Sequence, residues 1–379
     1  MDFSQTKQEQ LFLQMIREFA ENEVKPLATE IDEKERFPAE TVEKMGKVGI
    51  LGIPVPKQYG GQGGNNQLYN LAIEELSTAC ATTGLIVSAH TSLGIAPILE
   101  NGTEEQKMKY IPKMASGEWL GAFGLTEANA GTDAAMQLTT AVDAGDKWIL
   151  NGSKIFITNA GEAHVNIIFA MTDKSLGTKG ISAFIVEKGT RGFSFGKKEK
   201  KLGIRGSSTC ELLFENCEIP KENLLGKIGK GFGIAMKTLD GGRIGIASQA
   251  LGIAQGALDE TVKYTKERKQ FGKPISAFQN TQFQLADMSA KIEAARLLVR
   301  KAAYKKDVGQ PYSVDAAMAK LFASETAMEV TVKAVQLHGG YGYTRDYAVE
   351  RMMRDAKITE IYEGTSEVQK MVIAANLLK

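Results

Sequence analysis

Apolar residues near the start of the chain fall in helical step. Phe12, Met15, Ile16 and Phe19 repeat at i, i+3, i+4 and i+7, which lays them on one helix face. A second run, Val42, Met45 and Val48, follows Pro38. The stretch "PVPKQYGGQGGNN" then breaks the period with Pro and Gly and predicts a loop. Helical pattern resumes from Gln67, and Thr103 with Gln106 has the form of a capping box for a helix ending near Lys113. From about residue 121 the period shortens. "KWILNGSKIFITNA" sets β-branched and aromatic residues around Asn-Gly, which predicts a hairpin. "VNIIFAMT", "GISAFIVEK", "GFSFGKK" and "STCELLFENCEIP" follow at short intervals and predict a small antiparallel barrel or sandwich. From about residue 229 proline is scarce, and runs such as "SAKIEAARLLVRKAAYKK" predict antiparallel helices packed in a bundle. The expected fold is α+β and mainly helical. It has an N-terminal α-helical domain over 1–120, a middle β-barrel or sandwich domain over 121–228, and a C-terminal four-helix bundle over 229–379.

Composition changes this picture little. The chain has 379 residues, 43% hydrophobic and 24% charged, which is ordinary for a globular protein. A net charge of +1, with basic residues spread along the chain, gives no reason to expect a nucleic-acid partner. The cluster Lys197–Lys201 is read as a solvated edge. Cys80, Cys210 and Cys217 form no CxxC pair, so reduced thiols and a cytoplasmic location are expected. His90, His164 and His338 are far apart in sequence, so no metal site is expected. No signal peptide or transmembrane helix is expected.

Common cofactor signatures are missing. No G-x-G-x-x-G follows a strand, and neither G-x-x-x-x-G-K-[ST] nor G-x-S-x-G occurs. Three other stretches could meet a ligand. "FGLTEANAGTD", Phe123 to Asp133, offers backbone N–H groups and hydroxyls at the helix-to-β junction; its bland reading is a connecting loop. "RKQFG", Arg268 to Gly272, places cations and an aromatic near a helix end, suited to a pyrophosphate or simply to solvent. "QLHGGYGYTRD", Gln336 to Asp346, has adjacent glycines that permit close backbone approach, or a plain C-cap and turn.

Glu363 stands out by position. Gly364 suits the place just past a helix end, and Ser366 with Gln369 resembles a capping box for the next helix. A carboxylate at a helix C-terminus faces the negative end of the macrodipole, and apolar neighbours such as Ile361 would desolvate it. Both effects raise a carboxyl pKa, as a proton-abstracting base requires. A solvated structural Glu is the alternative reading.

Together the stretches "FGLTEANAGTD", "NGSKIFITNA", "KLGIRGSST", "LDGGRIGIASQALGIAQGA", "ERKQFGKPISAFQ", "QLHGGYGYTRDY" and "RDAKITEIYEGTSEVQ" resemble, in order and across essentially the whole chain, the acyl-CoA dehydrogenase family. The resemblance implies FAD, an acyl-CoA substrate, a homotetramer built as a dimer of dimers, and electron transfer to an electron-transferring flavoprotein. It implies that Phe123 to Thr132, including Leu125, Thr126 and Gly131, lines the flavin, with Phe156, Ile157 and Thr158 over another face. Arg268, Gln270, Phe271, Phe278 and Gln279 match positions reaching the pyrophosphate and adenine side of a neighbouring subunit's FAD. Gln336, Leu337, His338, Gly339 and Gly340 match the segment closing over that cofactor. Thr365 and Glu367 match further FAD contacts, although family members often carry Gln at the latter. Asp240, Arg243, Thr132 and Gly364 match substrate contacts.

Glu363 matches the family's catalytic base, and its backbone N–H, with a flavin ribityl hydroxyl, would hold the thioester carbonyl. Members acting on isovaleryl or long chains carry their Glu at the position of Gly242. Gly242 with Glu363 therefore resembles the short- and medium-chain branch, and "LDGGRIGIA" is most similar to the butyryl-CoA dehydrogenases. Other readings are an acyl-CoA oxidase-like or branched-chain member, a glutaryl-CoA-type decarboxylating member, and a non-enzymatic helical scaffold. Acyl length stays open, because one methylene discriminates by only about 1–3 kcal/mol.

Overall fold

The computed structural model describes residues 6–379. The first part is helical: α1 (Lys7–Phe19), α2 (Ala28–Lys34), α3 (Ala39–Lys47), α4 (Asn66–Ala79), α5 (Ala81–Ser88), α6 (Ala96–Asn101) and α7 (Glu104–Ala115). On α1 Ile16 and Phe19 of the expected face are buried and Phe12 and Met15 are half-buried, while Leu13, outside that set, is buried as well. On α3 Thr41, Val42 and Met45 are buried, whereas Val48 lies past the helix end and is exposed. Thr103 and Gln106 form the expected capping box at the start of α7. Wide π-type turns interrupt the helices at Ala20–Val24 and Ala89–Ile95.

The middle part is one sheet of eight strands: β1 (Gly121–Gly124), β2 (Thr140–Asp143), β3 (Lys147–Thr158), β4 (Val165–Met171), β5 (Ile181–Glu187), β6 (Phe193–Lys198), β7 (Thr209–Pro220) and β8 (Leu224–Leu225). The order is β6-β7-β3-β2-β4-β5-β8, with β1 also on β4. Two features differ from the sequence reading. The sheet is mixed, because β1 and β2 share one edge of β4 and both run parallel to it. Asn151-Gly152 makes no hairpin turn. It is a bulge inside the continuous strand β3, where the register against β7 shifts between Leu150 and Gly152. The turn before β3 is made instead by Ala144 N–H donating to Lys147 O at 2.9 Å, around Gly145. The residues of β4 are buried on both faces, which explains a run without alternation. One face joins Trp148, Phe184, Phe193 and Phe214 in the core between the two halves of the sheet, and the other meets the helices around Tyr110, Met114 and Ile234.

The last part holds α8 (Gly231–Glu267), α9 (Gln279–Asp307), α10 (Ser313–His338), α11 (Val349–Lys357) and α12 (Ser366–Leu377). An alanine-rich core binds α8, α9, α10 and α11 together. The helical run Ala81–Asn101 has a mean hydropathy of 1.3 and is long and apolar enough to cross a membrane. Within the protein 89% of its apolar window is buried, so it is accounted for as a core helix.

Candidate active site

Glu363 lies between the short 3₁₀ turn Ile358–Glu360 and α12. Its backbone is left-handed, φ 51°, and Gly364 follows at φ 93°. For a residue with a Cβ this conformation is strained, and strain of this kind persists only where surrounding contacts enforce it. The cap of α12 is Thr365, whose hydroxyl accepts from Val368 N–H at 3.3 Å, rather than Ser366. Gln369 is buried and donates from Nε2 to Gly364 O at 2.8 Å and to Glu363 O at 3.4 Å, so it closes the hinge instead of a capping box. The N–H of Glu363 has no acceptor within the described residues.

The carboxylate turns towards α8. A Cβ built on Gly242 would stand 2.1 Å from Glu363 Oε2 and 3.0 Å from Leu93 Cδ2. Only glycine leaves that space to the Glu363 side chain. Oε2 is buried and has no hydrogen-bond partner among the described residues. Burial pushes the Glu363 carboxyl up to about 7, against the downward pull of Lys320 and Arg243. Desolvation is the main cause here; Glu363 stands beyond the 3₁₀ turn, not on the last turn of a helix. Two phenols lie nearby and are committed elsewhere: Tyr69 donates to Ser88 O at 3.1 Å and Tyr362 donates to Gln249 Oε1. Burial raises both above the usual range, so they stay protonated. Asp240 accepts from Arg243 at 2.6 Å. Arg243 itself is buried, with its Nε unpaired.

The loop after β1 is held from below by residues that sequence reasoning missed. Lys154 is fully buried and donates to Glu127 Oε1 at 2.7 Å, Gln137 Oε1 at 3.0 Å and Leu125 O at 3.1 Å. Burial lowers Lys154 to about 8 against the pull of Glu127. Its signal was a lysine at an inward position of a strand, which requires a buried partner. Phe123 packs on Phe169, with centroids 4.9 Å apart, and Leu125 is buried. Thr126 is half-buried and accepts Ile155 N–H through its carbonyl at 2.9 Å. Gly131 and Thr132 are exposed, and nothing lies within 4 Å of a Cβ built on Gly131. Phe156 has φ 58° and is exposed, Ile157 points into the core, and Thr158 is half-buried.

The sheet that carries this loop packs on the helical run whose Leu93 lies beside Gly242. Asn159 donates to Ile86 O at 3.2 Å, and Gly121 lies against Gly94. These contacts seat the sheet on the helical run that carries Leu93. His90 on that run is a satisfied core histidine: Gly121 N–H donates to Nδ1 at 3.0 Å, so the Nε2–H donates to Met114 O at 3.0 Å. Burial lowers it to about 4, and it stays neutral.

A third set of expected residues stands elsewhere. Arg268 ends α8, and a two-strand hairpin follows, Lys269–Gln270 with Lys273–Pro274. Its turn is Phe271-Gly272, with φ 52° and 78°, and Phe271 is 94% exposed. Phe278 packs edge-on to Phe271, and Arg268 lies over Tyr341, 5.7 Å from the ring centre. Gln279 and Gln336 are exposed, Leu337 packs on the bundle, and Gly339 and Gly340 border open space. At about 1.5 Å per residue, Arg268 is roughly 37 Å along α8 from Arg243. The structure therefore brings Glu363, Gly364, Thr365, Asp240 and Arg243 together and leaves the Arg268 set at the other end of the bundle. Glu367 is exposed on the first turn of α12.

Three family models of acyl-CoA dehydrogenases match the chain: the N-terminal domain over residues 6–118, the middle domain over 122–217 and the C-terminal domain over 229–378. The chain belongs to the acyl-CoA dehydrogenase family. A short-chain specific acyl-CoA dehydrogenase of Clostridium acetobutylicum is 64% identical over the full length of both chains. The structure of butyryl-CoA dehydrogenase from Megasphaera elsdenii superposes with a TM-score of 0.98 at 54% identity, covering all of both chains. A chain in a structure of the electron-transferring flavoprotein of Acidaminococcus fermentans, solved towards a mechanism of flavin-based electron bifurcation, superposes with a TM-score of 0.99 at 58% identity, again over both full lengths.

As an acyl-CoA dehydrogenase the chain is an oxidoreductase acting on CH–CH bonds of acyl-CoA thioesters, with FAD as cofactor. Its residues fit that cofactor. The exposed Phe156, the open face of Gly131 and the unpaired Glu363 Oε2 are features that a bound flavin and thioester would complete.

Proposed function

We propose that Glu363 is the base that takes the α-proton of a short-chain acyl-CoA, giving a trans-2-enoyl-CoA. The observation that carries this reading is a buried carboxylate oxygen with no partner, opposite a glycine that leaves it room. A carboxyl brought up to about 7 is half ionised at neutral pH, where it can accept a proton and release it again. The free N–H of Glu363 donates to the thioester carbonyl and stabilises the negative charge that develops as the α-proton leaves. FAD, when bound, would supply the two-electron acceptor for the hydrogen lost from the β-carbon. Phe123 to Thr132 and Phe156 to Thr158 would hold the flavin, with Thr365 and Glu367 as further contacts. Asp240, Arg243, Thr132 and Gly364 hold the substrate.

The Arg268 set lies a helix length from its own Glu363. This separation supports a homotetramer, a dimer of dimers, in which Arg268, Gln270, Phe271, Phe278, Gln279 and the Gln336–Gly340 segment complete a neighbour's FAD site. An electron-transferring flavoprotein is the acceptor that fits such an enzyme. The buried, free cysteines suit a cytoplasmic location. A glutaryl-CoA-type activity would need a cation to meet the distal carboxylate. His90, on the buried helical run beside Leu93, carries no such charge: it is neutral, and both ring nitrogens are hydrogen-bonded.

The experiment is Glu363→Gln. The variant should purify yellow, with FAD bound, and anaerobic bleaching by butyryl-CoA should slow by about 10²–10⁴-fold. Bleaching at the wild-type rate would remove Glu363 from the role.

A further inference from the structure

Lys320 sits on α10 among Ala316, Ala317, Ala319 and Ala323, and no part of it reaches solvent. A buried ammonium has three donors to satisfy. Among the described residues its one hydrogen bond goes to Gly364 O, at 2.7 Å. One turn further along the same face, Ser324 donates to Thr359 O at 2.8 Å. Residues four apart share a helix face, so α10 fastens the chain on both sides of Glu363. Gln369 adds the second donor to Gly364 O, at 2.8 Å. These bonds hold two successive left-handed residues, Glu363 and Gly364, in place.

The charge of Lys320 needs a partner as well. A buried cation with one hydrogen bond is tolerated only against a counter-charge. The acidic groups that face it are Glu363 first, then Glu360 and Glu367, and the one opposing cation is Arg243 on α8. Glu360 is engaged by Lys357 at 2.6 Å, and Glu367 is exposed. Glu363 in turn faces Lys320 and Arg243, with the phenols of Tyr69 and Tyr362 beside it. Among the described residues Lys320 makes no ion pair, so its charge acts on Glu363 without direct contact and leaves Oε2 unpaired.

We propose that Lys320 is a positioning residue for the reaction: its hydrogen bond to Gly364 O fixes the hinge, and its charge holds the Glu363 carboxylate ready to receive a proton. The proposal rests on the reading of Glu363 as the base. A buried lysine beside a base would otherwise be a costly choice for a core position, where alanine and leucine pack without a counter-charge. Burial lowers Lys320 to about 8, against the upward pull of Glu363.

The test compares Lys320→Met, Lys320→Gln and Lys320→Arg as FAD-loaded enzymes. Thermal unfolding and flavin content are measured alongside kcat/KM for butyryl-CoA against pH. Removing the cation disfavours the ionised carboxylate, so the acid limb of the profile moves to higher pH. For Lys320→Met a shift of about one pH unit is expected, with kcat lowered by about tenfold or more. Lys320→Gln keeps a donor for Gly364 O but not the charge, so its limb moves and its kcat falls less. Lys320→Arg keeps the charge, and its limb stays within about 0.3 pH units of wild type. If Lys320→Met does not fold, the Gln and Arg variants decide by the same limb positions. An unmoved limb in Lys320→Gln, or equal shifts in Gln and Arg, overturns the proposal. A fully active Glu363→Gln variant sinks the base reading instead, so the two failures are told apart.

Discussion

Around Glu363 the unpaired polar groups are buried; around Arg268 most of the expected contact residues are exposed, with the buried, unpaired His338 Nε2 as the exception. Glu363 Oε2 and Arg243 Nε are enclosed without partners, whereas Phe271 is 94% exposed and the nearby Gly339 and Gly340 face open space. Both regions carry left-handed residues with side chains, Glu363 at φ 51° and Phe271 at φ 52°. The strain is alike, but its support is not. Lys320, Gln369 and Ser324 grip the Glu363 hinge, while the hairpin of Phe271 stands out from the bundle on local contacts. The difference shows what each region awaits. A buried vacancy for hydrogen bonding suits a small ligand that enters a cleft. An exposed aromatic tip beside a cation suits a surface completed from outside, by a second chain and its cofactor.

Substitutions can break this contrast. The largest effect is expected at Gly242. The atoms nearest a Cβ there are the side-chain ends of Glu363 and Leu93, with no backbone atom among them. Gly242→Ala should therefore displace the carboxylate and lower kcat by about 10²-fold, yet change Tm by less than ~2 °C. Equal loss of activity and stability would show that Gly242 matters for packing instead. Arg268→Ala comes next. It should weaken FAD binding by about 10–100-fold, read as flavin absorbance per protein after desalting, because a charge-assisted contact to phosphate is lost. Full flavin occupancy in that variant would detach the far end of the bundle from the cofactor. The smallest effect is on stability at the near end. Burial raises Glu363, so its ionisation opposes folding as pH rises from the ordinary carboxyl range through about 7. Glu363→Gln should raise Tm by ~2–4 °C at pH ~8 and by less at pH ~5. A Tm gain independent of pH would contradict the burial of that charge.

Much of this was legible in the chain. Helical step predicted the buried face of α1, and Thr103 with Gln106 predicted the cap of α7, because both depend on residues within a turn of each other. Local signals failed where distant partners decide. Asn151-Gly152 reads as a hairpin, but β7 continues the pairing past it and turns the pair into a bulge. Ser366 reads as a cap, but Thr365 holds that position and Gln369 is drawn to the hinge carbonyls. The resemblance named Glu363 but could not reveal why its carboxyl stays unpaired. That depends on Gly242, Lys320 and Arg243, which lie far away in sequence. Lys154 and Glu127 escaped for the same reason: each is ordinary alone, and only the fold buries them as a pair.

The most direct measurement is the rate of anaerobic flavin bleaching by butyryl-CoA across pH ~5 to ~9 in the wild-type enzyme. With Glu363 as a buried base, the rate should fall on the acid side with a midpoint near about 7, and Glu363→Gln should show no such limb. A wild-type rate that stays level down to about pH 5, as an ordinary solvated carboxylate would allow, contradicts the account.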